Sequence, residues 1–249
     1  MLKRVTSILL VAVLLLSVFT GISFVKTPVK AATTSQLNID ARANYLYNIN
    51  WTCQKTVAGW NGNYYFYQGS SYKLPYGQPI NSGYYIGYGV SVDTFIQGAA
   101  NASSAFYTYQ SSYDGTYSTY YATDCSAFVS WCWGIDRKTT YSIPQVSTNL
   151  GYCTASNAYN LQLGDALNSN SVGHVVLVTG LTYDSSGNLT QIEITEQTPP
   201  QLKRSYYTPS TLGSKYGAYY TIQRYTGSVP AAPDGSTGSD VSGGAVSTN

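Results

Sequence analysis

The chain has 249 residues, of which only 10% are charged while 26 are tyrosine. Thirteen Lys and Arg against eleven Asp and Glu give +2, but Lys3, Arg4, Lys26 and Lys30 all lie ahead of Ala31; without them nine basic residues face eleven acidic ones, about −2. No Lys/Arg patch of the kind that neutralises a phosphate backbone is present, which argues against a nucleic-acid partner. In chain order, Lys3 and Arg4 precede an apolar run from Val5 to Val25, and Val29-Lys30-Ala31 carries small residues at the positions a signal peptidase reads. This pattern predicts a signal peptide over residues 1–31 and an exported, extracellular or wall-located protein with no membrane contact after cleavage. The apolar run is nearly long enough to serve instead as an uncleaved anchor; the small-residue pattern favours removal.

Residues 35–226 suit one domain with a sizeable core, here expected to act as a monomer. Its first part, residues 35–73, reads as an N-terminal helix and a Tyr-rich extension. Leu37, Ala41, Tyr45, Leu46 and Ile49 mark a helical face over 37–51, and Cys53 extends it. Gly59 to Gly89 is crowded with Gly, Tyr, Asn and Ser and predicts loop or short strand. Ser91 opens a short helix running to Ala102. Tyr107 to Tyr121 is rich in Tyr, Ser and Thr.

Asp124-Cys125-Ser126-Ala127-Phe128-Val129-Ser130-Trp131-Cys132-Trp133-Gly134 predicts the central helix. Cys125, Phe128, Val129, Cys132 and Trp133 fall on one face. Asp124 is a natural N-cap and Gly134 a natural stop. Cys125 then sits in the first turn, where free backbone N–H groups and the helix dipole favour a thiolate.

Ile135 to Lys138 reads as a surface loop, Val146 to Leu150 as a short helix, and Leu161 to Leu167 as a turn into a strand with Gly164-Asp165 at the corner. Gly173 to Gly180 holds consecutive β-branched residues, a strand buried on both faces that starts at His174. Asp184 to Asn188 is a hairpin loop, and Leu189 to Glu196 the returning strand. A segment at 203–206, a helix from Pro209 to Lys215 and a strand at 219–222 close the domain. Gly227 to Asn249, without an aromatic residue, predicts a flexible tail. Helices segregated from an antiparallel meander make the class α+β.

His174 is the chain's sole histidine. A cysteine nucleophile needs a base that takes its proton and returns it to the leaving group, and histidine serves both steps near neutral pH. A hairpin centred on Ser186 puts Thr198 opposite His174 and Glu196 on the same face. Glu196 is therefore the expected orienting residue; a one-residue bulge would promote Gln197 instead. A lone histidine without a Cys-x-x-Cys pair gives no zinc site. Cys53, Cys132 and Cys153 leave room for one disulfide.

The blocks 124–129, 163–167 and 173–178, in that order and spacing, resemble the signature blocks of the NlpC/P60 superfamily of papain-like cell-wall cysteine peptidases and amidases. Leu74-Pro75-Tyr76-Gly77 is similar to its Pro-Tyr stretch. The resemblance implies a papain-like fold, with the nucleophile helix packed on an antiparallel sheet. It implies Cys125 as nucleophile and His174 as base, with Asp124, Ser126 and Tyr76 on the substrate side, no metal or organic cofactor, and a peptidoglycan or peptide substrate. Ala127 stands where members usually have Gly, and Glu196 looks more like the related CHAP amidases. Two other readings share the residues: a non-catalytic wall- or glycan-binding protein using its tyrosines, and an acyltransferase with the same triad.

Overall fold

The computed structural model describes residues 31–79, 84–113, 116–233 and 240–241. The predicted signal peptide and most of the predicted tail lie outside them. Among the described residues no helix is long and apolar enough to cross a membrane.

The framework is a six-stranded antiparallel sheet whose strands are β1 (Thr148–Tyr152), β2 (Ala166–Ser169), β3 (His174–Tyr183), β4 (Leu189–Thr198), β5 (Gln201–Tyr207) and β6 (Thr221–Arg224). Their spatial order is β5-β4-β3-β2-β6-β1, every pair antiparallel. The segment β2 to β5 is the expected meander. The last strand does not extend it: β6 returns to pair with β2, between it and β1. The expected helix at 146–150 is instead the edge strand β1, all five residues exposed, with Gly151 at φ 88. Its residues are poor helix formers, and the ladder with β6 decides.

The sheet has a core on each side. Helices α1 (Thr34–Asn48) and α3 (Cys125–Cys132) pack on one face, where Val175 and Leu177 join Phe128 and Val129, and α2 (Val92–Ala99) joins the same core by way of the segment Asn50–Thr52. Helix α4 (Pro209–Tyr216) covers the other, where Val176 and Val178 meet Ile192, Ile194 and Leu212. Burial on both faces explains the unbroken apolar run of β3. Four further buried rings, Trp51, Phe66, Phe95 and Phe106, pack edge to face, with Trp51 Nε1 donating to the Lys73 carbonyl at 2.8 Å. The Tyr-rich stretch after α1 therefore supplies core.

Three boundaries differ from expectation. Helix α1 starts earlier, at a capping box formed by Thr33 and Gln36, and stops at Asn48; Asn50–Thr52 is a strand. The region assigned to the tail begins packed: Val229 is buried, its carbonyl accepts from Asn38, and Arg42 donates to the Ala231 carbonyl. Cys53, Cys125, Cys132 and Cys153 are all buried and unbridged, so the possible disulfide is not formed.

The Gly164-Asp165 corner locks three elements together. Gly164 has φ +84, a Cβ there would stand 2.6 Å from Ile39 Cδ1 of α1, and its carbonyl accepts from Trp133 Nε1 at 2.9 Å. Asp165, fully buried, takes a two-pronged contact from Arg224 at 2.8 and 2.7 Å. Gly164→Ala is expected to lower stability by about 1–3 kcal/mol through backbone strain and the clash with Ile39. Urea denaturation of both proteins measures it; an unchanged midpoint would contradict this account of the corner.

Candidate active site

Asp124 caps α3. Its Oδ1 accepts from the Ala127 N–H at 2.7 Å and from the Ser126 hydroxyl at 2.9 Å, while Oδ2 accepts from Arg137 Nη2 at 2.8 Å. The predicted helix, cap and stop are all found, with Gly134 at φ 68. The helix is less one-sided than its pattern suggests, because Ser126, Ala127 and Ser130 are buried too.

Cys125 at the tip is 5% exposed. Backbone N–H groups of Val175, Ser126 and Cys125 itself point at its sulfur. Val175 is the residue after His174, so the sulfur stands at the start of β3. The register of the β3–β4 hairpin there is the expected one: Leu177 pairs with Thr195 and Val178 with Ile194. An irregularity after Val178 is reversed by another after Thr182, near the turn. His174 and Glu196 share a face as alternation requires, and His174 Nε2 lies 2.9 Å from Glu196 Oε2. Gln197 faces the other way, donating to the Leu74 carbonyl at 3.1 Å.

By alternation, that shared face is the one α4 covers, opposite α3. Cys125 lies against the start of β3, through the Val175 N–H, so it approaches the end of the strand at which His174 stands. Tyr220, from the far-side core, registers both: after burial, the charges of Glu196 and Cys125 push its phenol up to about 12.

The electrostatics overturn one expectation. Burial pushes the Cys125 thiol up to about 12, with the Asp124 charge adding, and the three N–H groups only partly offset it. The resting form is therefore the thiol, not the thiolate that the helix tip alone would favour. Burial alone would raise Glu196 too. There the hydrogen bond from His174 and the ammonium of Lys203, 3.3 Å from Oε1, win and hold the carboxyl below its usual range.

A cavity of about 310 Å³ opens on Cys125, lined also by Gln78, Tyr85, Asp124, Arg137 and Gly173 among others. Ser126 lines it with its hydroxyl turned to Asp124. Tyr76 is buried beside the sulfur, not on the cavity wall. Desolvation, then the Cys125 and Asp124 charges, raise its phenol well above the usual range, and Gln78 is its hydrogen-bond partner. The stretch 74–77 reaches the site by backbone pairing: Tyr76 N–H donates to the Pro200 carbonyl, Gly77 N–H to Thr123, and Thr123 N–H to Pro75.

Arg137, Tyr85 and Gln78 were not picked out from the sequence. Arg137 belongs to the segment read as surface loop. A chain of contacts turns it inward: Lys138 N–H donates to the Ser130 hydroxyl, which donates to the Ser126 carbonyl, and Asn168 Nδ2 donates to the Thr140 carbonyl. The available signal was an arginine thirteen residues beyond an N-cap aspartate.

Among the described residues no group of three or more His, Cys, Asp and Glu is placed to hold a metal ion. Comparison with family models, with curated proteins and with solved structures finds no match for this chain.

Two measurements follow from the charges. A thiol at about 12 rather than 9 leaves roughly a thousandth of the usual thiolate at neutral pH. Iodoacetamide should therefore modify native Cys125 more slowly than free cysteine at pH 7, with a rate still climbing above pH 9; mass spectrometry at timed intervals reads it. Faster labelling than free cysteine would reverse the electrostatic reading. Glu196, with its folded value depressed below 4.5, contributes stability that is present above 4.5 and lost as pH falls through the folded value. The urea-midpoint gap between wild type and Glu196→Gln should be wide at pH 7 and shrink on acidification. A gap independent of pH would refute the linkage.

Proposed function

We propose that this protein is an exported papain-like cysteine hydrolase, resembling the NlpC/P60 superfamily with a CHAP-like Cys-His-Glu set, that cleaves amide bonds of peptidoglycan stem peptides. One arrangement carries the reading. A half-buried imidazole paired with a buried carboxylate at 2.9 Å stands at the strand start whose next backbone N–H meets the sulfur of Cys125, and that sulfur opens on a cavity.

With Nε2 engaged by Glu196, Nδ1 is the ring nitrogen left to exchange a proton. Because Cys125 rests as a thiol, the proton leaves as the bond forms. Sulfur attacks the amide carbonyl, His174 takes the thiol proton, and the tetrahedral oxyanion is held by the Cys125 backbone N–H. Collapse breaks the C–N bond, and the amine departs with the proton from His174. Water then attacks the thioester, giving its proton to His174, and the restored thiol leaves the carboxylic acid as product. Glu196 holds the ring's tautomer and stabilises its charged form.

A non-catalytic wall- or glycan-binding protein on the same scaffold is favoured by one observation, the high-lying thiol. Digestion of purified peptidoglycan, with mass analysis of the released fragments, separates the two. Cys125→Ala should abolish release, a fall of about four orders of magnitude or more. His174→Ala should cost about 10²–10⁴-fold, and Glu196→Gln less than that. Equal release by wild type and Cys125→Ala would end the hydrolase reading.

A further inference from the structure

Among the described residues the cavity beside Cys125 has two charged lining residues, Asp124 and Arg137, and they cancel in an ion pair at 2.8 Å. Their hydrogen-bonding capacities do not cancel. The Asp124 carboxylate already accepts from Ala127, Ser126 and Arg137. Of the five N–H hydrogens of a guanidinium, those of Arg137 Nη2 meet Asp124 and the Tyr85 hydroxyl, the latter at 2.9 Å, while Nε is buried without a partner. The guanidinium carbon sits over the Tyr85 ring, 3.9 Å from its centroid, which helps hold it in place. A quarter of the Arg137 side-chain surface remains exposed, at 26%.

The pair is neutral, Nε is sealed from a ligand, and what the cavity can meet is the part of the guanidinium that stays exposed. A ligand carboxylate would bring an uncompensated negative charge into a half-buried site next to Asp124. An ammonium would find the aspartate occupied. A neutral amide oxygen satisfies a donor and unbalances nothing, and the cavity wall beside Arg137 is continued by the uncharged residues Thr139 and Thr140.

We infer that Arg137 is a specificity-determining residue that receives a neutral amide oxygen of the substrate, so that the cleft selects peptides bearing a carboxamide over those bearing a free carboxylate near the scissile bond. This rests on reading the cavity as the substrate cleft of a cysteine hydrolase. Asp124 sets the balance, as the charge that keeps Arg137 from acting as a carboxylate receptor.

The test uses Cys125→Ala in the full mature chain, which binds without turnover. Isothermal titration compares the tripeptide L-alanyl-γ-D-glutamyl-L-lysine with the same peptide carrying a carboxamide in place of the glutamyl α-carboxylate. The carboxamide form should bind about tenfold more tightly or better. Adding Arg137→Gln should erase that preference. Adding Asp124→Asn, which keeps an oxygen for the helix cap but removes the charge, should narrow or invert it. A purely structural Asp–Arg pair would lower both affinities together and leave their ratio unchanged. Equal binding of the two peptides, tighter binding of the acid, or no binding of either overturns the inference. Cleavage by the Cys125 protein is scored separately: a carboxamide preference without cleavage would sink the hydrolase reading and leave Arg137 as a recognition residue.

Discussion

The carboxylate of Asp124 meets three demands at once, and the rest of the site follows from how it does so. One oxygen satisfies the Ala127 N–H at the tip of α3 and restrains the Ser126 hydroxyl; the other anchors Arg137. The first contact fixes where the helix begins and hence where Cys125 points. The second draws a loop of polar residues inward and makes it a wall of the cavity. A carboxylate buried to 4% exposure survives because its acceptor sites are filled by a cationic donor and two neutral ones.

The same carboxylate works against its neighbour. A helix N-terminus lowers a thiol's pKa, and the sequence alone argues for a thiolate at Cys125. Burial and the adjacent negative charge outweigh three oriented N–H groups, and the thiol prevails. In the proposed hydrolysis, a nucleophile held neutral depends more on its base than a preformed ion pair would. That places the burden on the pairing of His174 with Glu196, a carboxylate kept ionised by its imidazole and Lys203 partners despite burial.

Where local pattern and tertiary demand agree, the sequence was legible. The α3 helix, its cap and its stop were visible because periodicity, an N-cap residue and glycine all pointed one way. Glu196 could be chosen over Gln197 because strand alternation is strict and two ladder irregularities happen to offset each other. The antiparallel α+β class was visible for the same reasons. The β1 strand was not, because Thr148-Asn149-Leu150 has no period and only the ladder with β6 makes it extended. Arg137 was hidden because its inward turn depends on Ser130 and Asn168, partners distant in sequence. Tyr76 was seen as a site residue, but its burial behind the cavity was set by pairing with residues 123 and 200. The packing of Val229 depends on α1, nearly two hundred residues earlier.

The edge strand β1 has a consequence for how these molecules behave when crowded. Its five uncharged, solvent-facing residues leave one side of the sheet without a charge to repel a neighbouring chain, the usual recipe for strand addition between copies. Gly151 breaks the recipe: its left-handed backbone, with the register shift in the ladder to β6, throws the free donors and acceptors out of line. A chain this poor in charge thus guards this edge with a kink in its backbone, in the place where many proteins use a lysine.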